Sequence, residues 1–185
     1  VIINKVLPEK VDFIADFARR GLKRKGLELL GVIPHHRILS RPTIRSIKED
    51  LQAEELNSSG KLNNMVEDVV VGAMGAENAV QFFSPGVLII TPGDREDIVA
   101  AAASTLSGQG KSTIAGIVLT GDLRPSEPVL NLIREMNFPV LLAKYDSYEV
   151  ASKVHDLIVK TRPDDAEKIA LIRDLMASMW MCSES

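Results

Sequence analysis

The sequence predicts an α/β protein built on a parallel sheet with helices on its faces. Three observations carry this. From residue 65 onward, short β-branched runs alternate with stretches of helical period. Turns containing Gly, Asp or Ser separate them. Apolar residues make up 45% of the 185 positions, enough for one large domain or two small ones, each with its own core.

The elements follow in order. "VIIN" is a short β-branched run, and "PEKVDFIADFARRGLKRKG" has apolar residues at Val11, Ile14, Phe17, Ala18 and Leu22, the spacing of a helix burying one face. "LELLGVIP" reads as a second buried strand, and "SRPTIRSIKEDLQAEEL" as a helix capped by Ser40 and started with the help of Pro42. Residues 1–56 are thus β-α-β-α. The polar stretch "NSSGKLNN", residues 57–64, is expected to be a linker, with a second domain over 65–185. That domain opens with the strand "VEDVVVGAM" and short helix "AENAVQFF". "GVLIIT" then leads into "DREDIVAAAASTL", "IAGIVLT" into "SEPVLNLIREMN", and "FPVLLAK" into "SYEVASKVHDLIVKT". A last helix, with Asp164 as cap, carries the stripe Ile169, Ile172, Leu175, Met176 and Met179.

Several functions are not supported. The formal charge of −3 gives no global attraction to nucleic acid or an anionic membrane, and neither is expected as a partner. The single cysteine, Cys182, provides neither an internal disulfide nor a thiolate zinc site, which fits a reducing, cytoplasmic location. No apolar run reaches the length of a membrane helix, and the first residues lack the basic-then-apolar order of a signal peptide. The start at Val1-Ile2-Ile3, inside what reads as a strand and without an initiator Met, suggests a fragment of something longer. His35 and His36 are adjacent, so on a strand they point apart, and no nearby carboxylate completes a metal set. "SGQGKST", residues 107–113, resembles a phosphate loop, but it follows a helix and precedes a strand, the reverse of the required context. "RRGLKRKG" reads as a solvated, dipole-complementing helix end. No Ser/His/Asp or Cys/His arrangement is present, so no catalytic residue, metal ligand or cofactor is assigned.

Chemistry, if any, belongs beyond the carboxyl ends of the strands. In "TPGDRED", Gly93 permits a tight turn and Asp94 with Asp97 has capping-box spacing. "TGDLRPSE" offers Gly121, Arg124 and Ser126, and "KYDSYE" repeats the capping spacing at Asp146 and Glu149. One reading makes Asp94, Ser126 and Asp146 helix caps. The other brings Arg95, Arg124 and Lys144 to one rim with several helix N-termini, a place for a phosphate, a carboxylate or a dimer partner.

These turns carry a resemblance. "LIITPGDREDIVAAA", "GIVLTGDLRPSEPVL" and the upstream "EDVVVGAMGAENAVQFF" make residues 65–185 look like a DRTGG domain, named for an Asp-Arg at one turn and Thr-Gly-Gly at another. Here the residues are Gly93-Asp94-Arg95 and Thr120-Gly121-Asp122, with Asp122 in place of the second glycine. Residues 1–56 resemble the tail of a dethiobiotin synthetase-like P-loop domain. "VIINKV" matches its Asn-Lys turn, and "LLGVIPHHRILSRPTI" its last strand and Pro-containing loop.

That resemblance implies a parallel-sheet DRTGG domain preceded by a β-α-β-α P-loop remnant. It points to the phosphotransacetylase family and a non-catalytic regulatory and oligomerisation module, self-associating as a homodimer. Tentative contacts to a small anionic metabolite or nucleotide fall on Gly93, Asp94, Arg95, Thr120, Gly121, Asp122 and Arg124. The alternative is a fragment of an ATP-dependent, dethiobiotin synthetase-like enzyme. The final helix, with Met176, Met179 and Trp180, is expected to expose apolar surface that a symmetric partner can cover, while the pairing surface itself is left open by the sequence.

Overall fold

The computed structural model of the chain describes residues 1–104, 114–159, 161–163 and 165–181. It divides into two compact units, residues 41–159 and residues 1–40 with 160–185. "SGQGKST", Asp164, Cys182 and the side chains of Met179 and Trp180 lie outside the described residues.

Unit 1 begins with β1 (Ile2–Val6), crosses over through α1 (Val11–Lys23), and returns as β2 (Gly31–Pro34), parallel to β1. The short α2 (Arg37–Ser40) follows, and the C-terminal α8 (Ala166–Met181) packs on β2. Gly26, at φ 68°, ends α1: its left-handed backbone lets the Leu27 amide reach back to the Leu22 carbonyl. Phe17, expected on the buried face of α1, is 64% exposed instead.

Unit 2 holds α3 (Ile44–Leu51), β3 (Glu54–Glu55), β4 (Asp68–Val71), α4 (Ala76–Ala79), β5 (Val87–Pro92), α5 (Glu96–Ser104), β6 (Ile114–Thr120), α6 (Glu127–Arg134), β7 (Val140–Leu142) and α7 (Ser147–Asp156). Its five strands lie in the order β3-β7-β6-β5-β4, with β4 to β7 parallel and β3 antiparallel at the β7 edge. Because consecutive parallel strands are neighbours, right-handed crossovers place α4, α5 and α6 on one face. There Ile98, Val99 and Ile133 bury against Ile89, Ile117 and Leu119. After β7 the chain goes to the other face. α7 joins α3 there, and Ile44, Ile47 and Val150 cover Leu88, Ile90 and Val118. The inner strands β5 and β6, with β7, are buried on both faces, which explains their continuous apolar runs.

The division differs from the boundary expected at residues 57–64. α3 and β3 belong with the sheet, and the polar stretch is pinned to it. The amides of Ile44 and Arg45 bond to the carbonyls of Asn64 and Leu62, and the Asn64 side chain donates to the Ala115 carbonyl at 3.1 Å. The cap of α3 is Thr43 rather than Ser40, in a reciprocal box with Ser46.

Asn57 does most to tie β3 down. Buried to 5% exposure, its amide nitrogen donates toward the carbonyls of Ile133 (3.1 Å), Met136 (3.2 Å) and Phe138 (2.9 Å), while its oxygen accepts the Val140 amide at 2.9 Å. One side chain thus terminates α6 and starts β7. Asn57→Ala strands several buried backbone groups at about 1–3 kcal/mol each. A fall of about 3 kcal/mol in urea-unfolding stability with an unchanged slope is expected, and a larger fall for Asn57→Asp, whose carboxylate faces the same carbonyls.

Candidate functional site

β5, β6 and β7 are neighbours, so the three turns singled out from the sequence meet at the carboxyl end of the sheet. The connections from β6 and β7 then diverge, α6 to one face and α7 to the other. In an open α/β sheet this divergence opens the crevice that ligands use. Here the crevice is bridged by the chain itself. The Gly121 amide donates to the Tyr145 carbonyl at 2.7 Å, the Asp122 amide to the Ala143 carbonyl at 3.0 Å, and the buried Thr120 hydroxyl pairs with Ser147 at 2.7 Å.

This closure needs an unusual turn. Gly121 and Asp122 both have left-handed backbones, with φ of 79° and 56°. Glycine takes that conformation freely, whereas an L-residue pays about 1–2 kcal/mol and aspartate is among the more tolerant. Asp122 therefore keeps the backbone that a second glycine would supply. Gly93 is needed for a different reason. Its amide donates to the Thr120 carbonyl at 3.1 Å, and a Cβ there would overlap the Leu123 carbonyl oxygen.

Both arginines of the rim are engaged within the chain. Arg95 donates from Nη1 to the Gly72 carbonyl (3.2 Å), from Nη2 to the Met74 carbonyl (2.8 Å), and from Nε and Nη2 to the two Asp97 oxygens (2.8 Å each). It fastens the loop after β4 to the start of α5. The hydrogen bond to Asp97 raises the Arg95 pKa, and the same bond lowers that of Asp97. Exposed Asp94 acts on Arg95 only through its charge, so the carboxylate that holds this arginine is Asp97. Arg124 turns away from Arg95: its Nη2 reaches both oxygens of Glu54 on β3, at 2.8 and 2.6 Å, and this bond raises its pKa. Lys144 is exposed on the same rim.

The helix starts are filled too. Ser126 has the backbone of an α6 cap but makes no side-chain cap bond. Glu96 holds the other side of this start, accepting the amide of Ser126 itself at 2.7 Å, and that hydrogen bond lowers the Glu96 pKa. Asp146 caps α7 as its spacing predicts, accepting the Glu149 amide at 2.8 Å. Glu54 and Glu96 were not singled out from the sequence. Glu54 lies 70 positions from Arg124 and no local spacing marks it. Among the described residues no cluster of His, Cys, Asp and Glu could hold a metal ion, and no helix is long and apolar enough to cross a membrane.

Residues 46–157 match the family model of the DRTGG domain. The chain is 32% identical over 187 residues to the phosphate acetyltransferase of Pseudomonas putida, spanning 96% of this chain and 26% of that protein. It is 33% identical over 190 residues to that of Pseudomonas aeruginosa (96% and 27%), and 31% over 185 residues to that of Nitrosomonas europaea (96% and 26%). The chain thus spans about a quarter of the length of these relatives. A solved structure of the CBS and DRTGG domains from the regulatory region of Clostridium perfringens pyrophosphatase, in complex with its activator diadenosine tetraphosphate, superposes with a TM-score of 0.51 at 21% identity. It covers 88% of this chain and 78% of that one, a likeness of fold.

The Glu96 contact has a defined pH signature. A carboxyl group whose folded pKa is lowered stabilises the fold above its unfolded value, about 4.3 for glutamate, and that contribution is lost as pH falls through the lowered value. The stability gap between the wild type and Glu96→Gln, measured by chemical denaturation, should be constant from about pH 6 to 7 and close at lower pH, where Glu96 itself becomes neutral.

Proposed function

The chain belongs to the DRTGG domain family, and from that membership we propose that it is a non-catalytic regulatory and assembly module of a phosphotransacetylase-family protein, working in the cytoplasm as a homodimer. The observation that carries this reading is the bridged crevice. Where an α/β enzyme would admit its substrate, Gly121, Asp122 and Thr120 bond to the exit of β7. A site whose donors are spent on its own backbone suits a module that holds shape and transmits it.

The rim of Gly93, Asp94, Arg95, Thr120, Gly121, Asp122 and Arg124 is proposed to sense a small anionic metabolite or nucleotide. The fold relative with bound diadenosine tetraphosphate makes nucleotides the first candidates. A phosphate reaching Arg124 must replace Glu54, and both partners are about half exposed, so the pair it displaces is a weak, solvated one. Glu54 lies in the two-residue edge strand β3, so its release loosens that edge and couples occupancy to shape. Unit 1, with parallel β1 and β2 and a left-handed Lys5 after Asn4, is read as the tail of a P-loop domain.

The test is thermal-shift and calorimetric titration with ATP, ADP, diadenosine tetraphosphate, coenzyme A and acetyl phosphate, beside sedimentation. The reading expects a dimer at tens of micromolar and no turnover. It also expects a nucleotide signal weakened in Arg124→Ala by about 1.5–3 kcal/mol, the worth of a charge-assisted hydrogen bond. Steady ATP hydrolysis or acetyl transfer that a point change within the chain abolishes would overturn the non-catalytic role. A clean monomer would overturn the assembly role.

A further inference from the structure

Unit 1 is made from two separated stretches of chain, residues 1–40 and 160–185, and the whole of unit 2 lies between them in sequence. Within unit 1, α8 from the second stretch packs on β2 from the first. For α8 to reach β2, the two exits of unit 2, between residues 40 and 41 and between 159 and 160, must be held at a spacing that suits both stretches. Added freedom at the exits enlarges the set of arrangements in which α8 is away from β2, as in the closing of any loop. Unit 2 thus sets the effective concentration of one half of unit 1 for the other.

Two helices lead to those exits. α3 begins just after the first and α7 ends just before the second. They are neighbours on one face of the sheet, where Ile44, Ile47, Leu51, Val150 and Val154 are buried in a single cluster. Their far ends both reach the rim. Beyond α3 the left-handed Gln52 turns the chain into β3, which Lys48 staples back to the helix through Glu55 at 2.8 Å. Glu54 then lies opposite Leu142, the last residue of β7, where Arg124 clasps it. α7 starts at the rim itself, with Ser147 paired to Thr120. Among the described helices of unit 2, α4, α5 and α6 lie on the other face and begin and end inside the unit. The α3–α7 pair is therefore a packed block with two polar clasps at one end and the two exits at the other.

We propose that unit 2 is a clamp on unit 1. Closed clasps at Thr120–Ser147 and Arg124–Glu54 fix the α3–α7 block and with it the spacing of the exits, and opening them loosens the docking of α8 on β2. The Arg124–Glu54 pair is solvated and readily exchanged, whereas the apolar side of the block is close-packed and shifts as one piece. The proposal rests on the regulatory reading for the ligand that opens the clasps, and adds where its effect is delivered.

The full chain is followed by amide hydrogen exchange at Leu30 and His35, which donate to the Val1 and Val6 carbonyls, and at Ile169, which donates to the Asp165 carbonyl at the start of α8. In Thr120→Val/Arg124→Ala all three should exchange roughly threefold faster or more than in the wild type, with a smaller gain in each single variant. Ile133→Val weakens unit 2 from the opposite face without touching the block, and should leave the three amides at the wild-type rate. Wild-type rates in the double variant, or an equal rise in Ile133→Val, would overturn the clamp. Diadenosine tetraphosphate, with binding followed by calorimetry, separates this from the sensing role. Binding that is lost in Arg124→Ala yet leaves the three amides unmoved overturns the clamp and spares the sensor. Faster exchange in the variants without any binding supports the clamp and counts against the sensor.

Discussion

Where the chain leaves β6 it must turn within two residues, and the left-handed backbones of Gly121 and Asp122 direct their amides at the carbonyls of Tyr145 and Ala143. On that turn the carboxyl end of the sheet depends. The connections after β6 and β7 run to opposite faces, which would leave an open cleft if nothing bridged them. Two amides and the Thr120–Ser147 hydroxyl pair bridge it.

The rest of the rim is arranged around this closure. Leu123, just past the turn, lays its carbonyl over Gly93, so the exits of β5 and β6 lie in direct backbone contact. Glu96, the first residue of α5, then bonds the Ser126 amide at the start of α6, and Arg95 gathers the loop after β4. On the far side Asn57 holds the return from α6 into β7, and Arg124 clasps β3 through Glu54. The contacts differ in strength. Asn57 is buried and its loss leaves orphaned backbone groups, whereas the arginine pairs are solvated and individually weak.

Much of this was legible from the residues alone. The inner strands announced themselves as apolar runs because they are covered on both faces, and the turns at Gly93, Thr120-Gly121 and Asp146 meet at the carboxyl end of the sheet. What escaped depended on distant partners. Asn57 sits in a polar stretch that reads as a linker, and its four backbone partners lie more than 70 positions away. Arg124 reads as an anion clamp until Glu54 is brought beside it. Phe17 has the spacing of a core residue, since periodicity shows that a helix is apolar but not whether one side or two are covered. Ser40 preceded the helix plausibly, but Thr43 alone had Ser46 at the reciprocal distance.

Amide hydrogen exchange at Gly121 and Asp122 tests the closure most directly. If their bonds to Tyr145 and Ala143 shut the crevice, both amides exchange as slowly as the buried strand amides of Leu88 and Val118, through opening of the whole unit. Exchange of both amides at nearly the rate of an unprotected amide would show an open crevice and would contradict the closure.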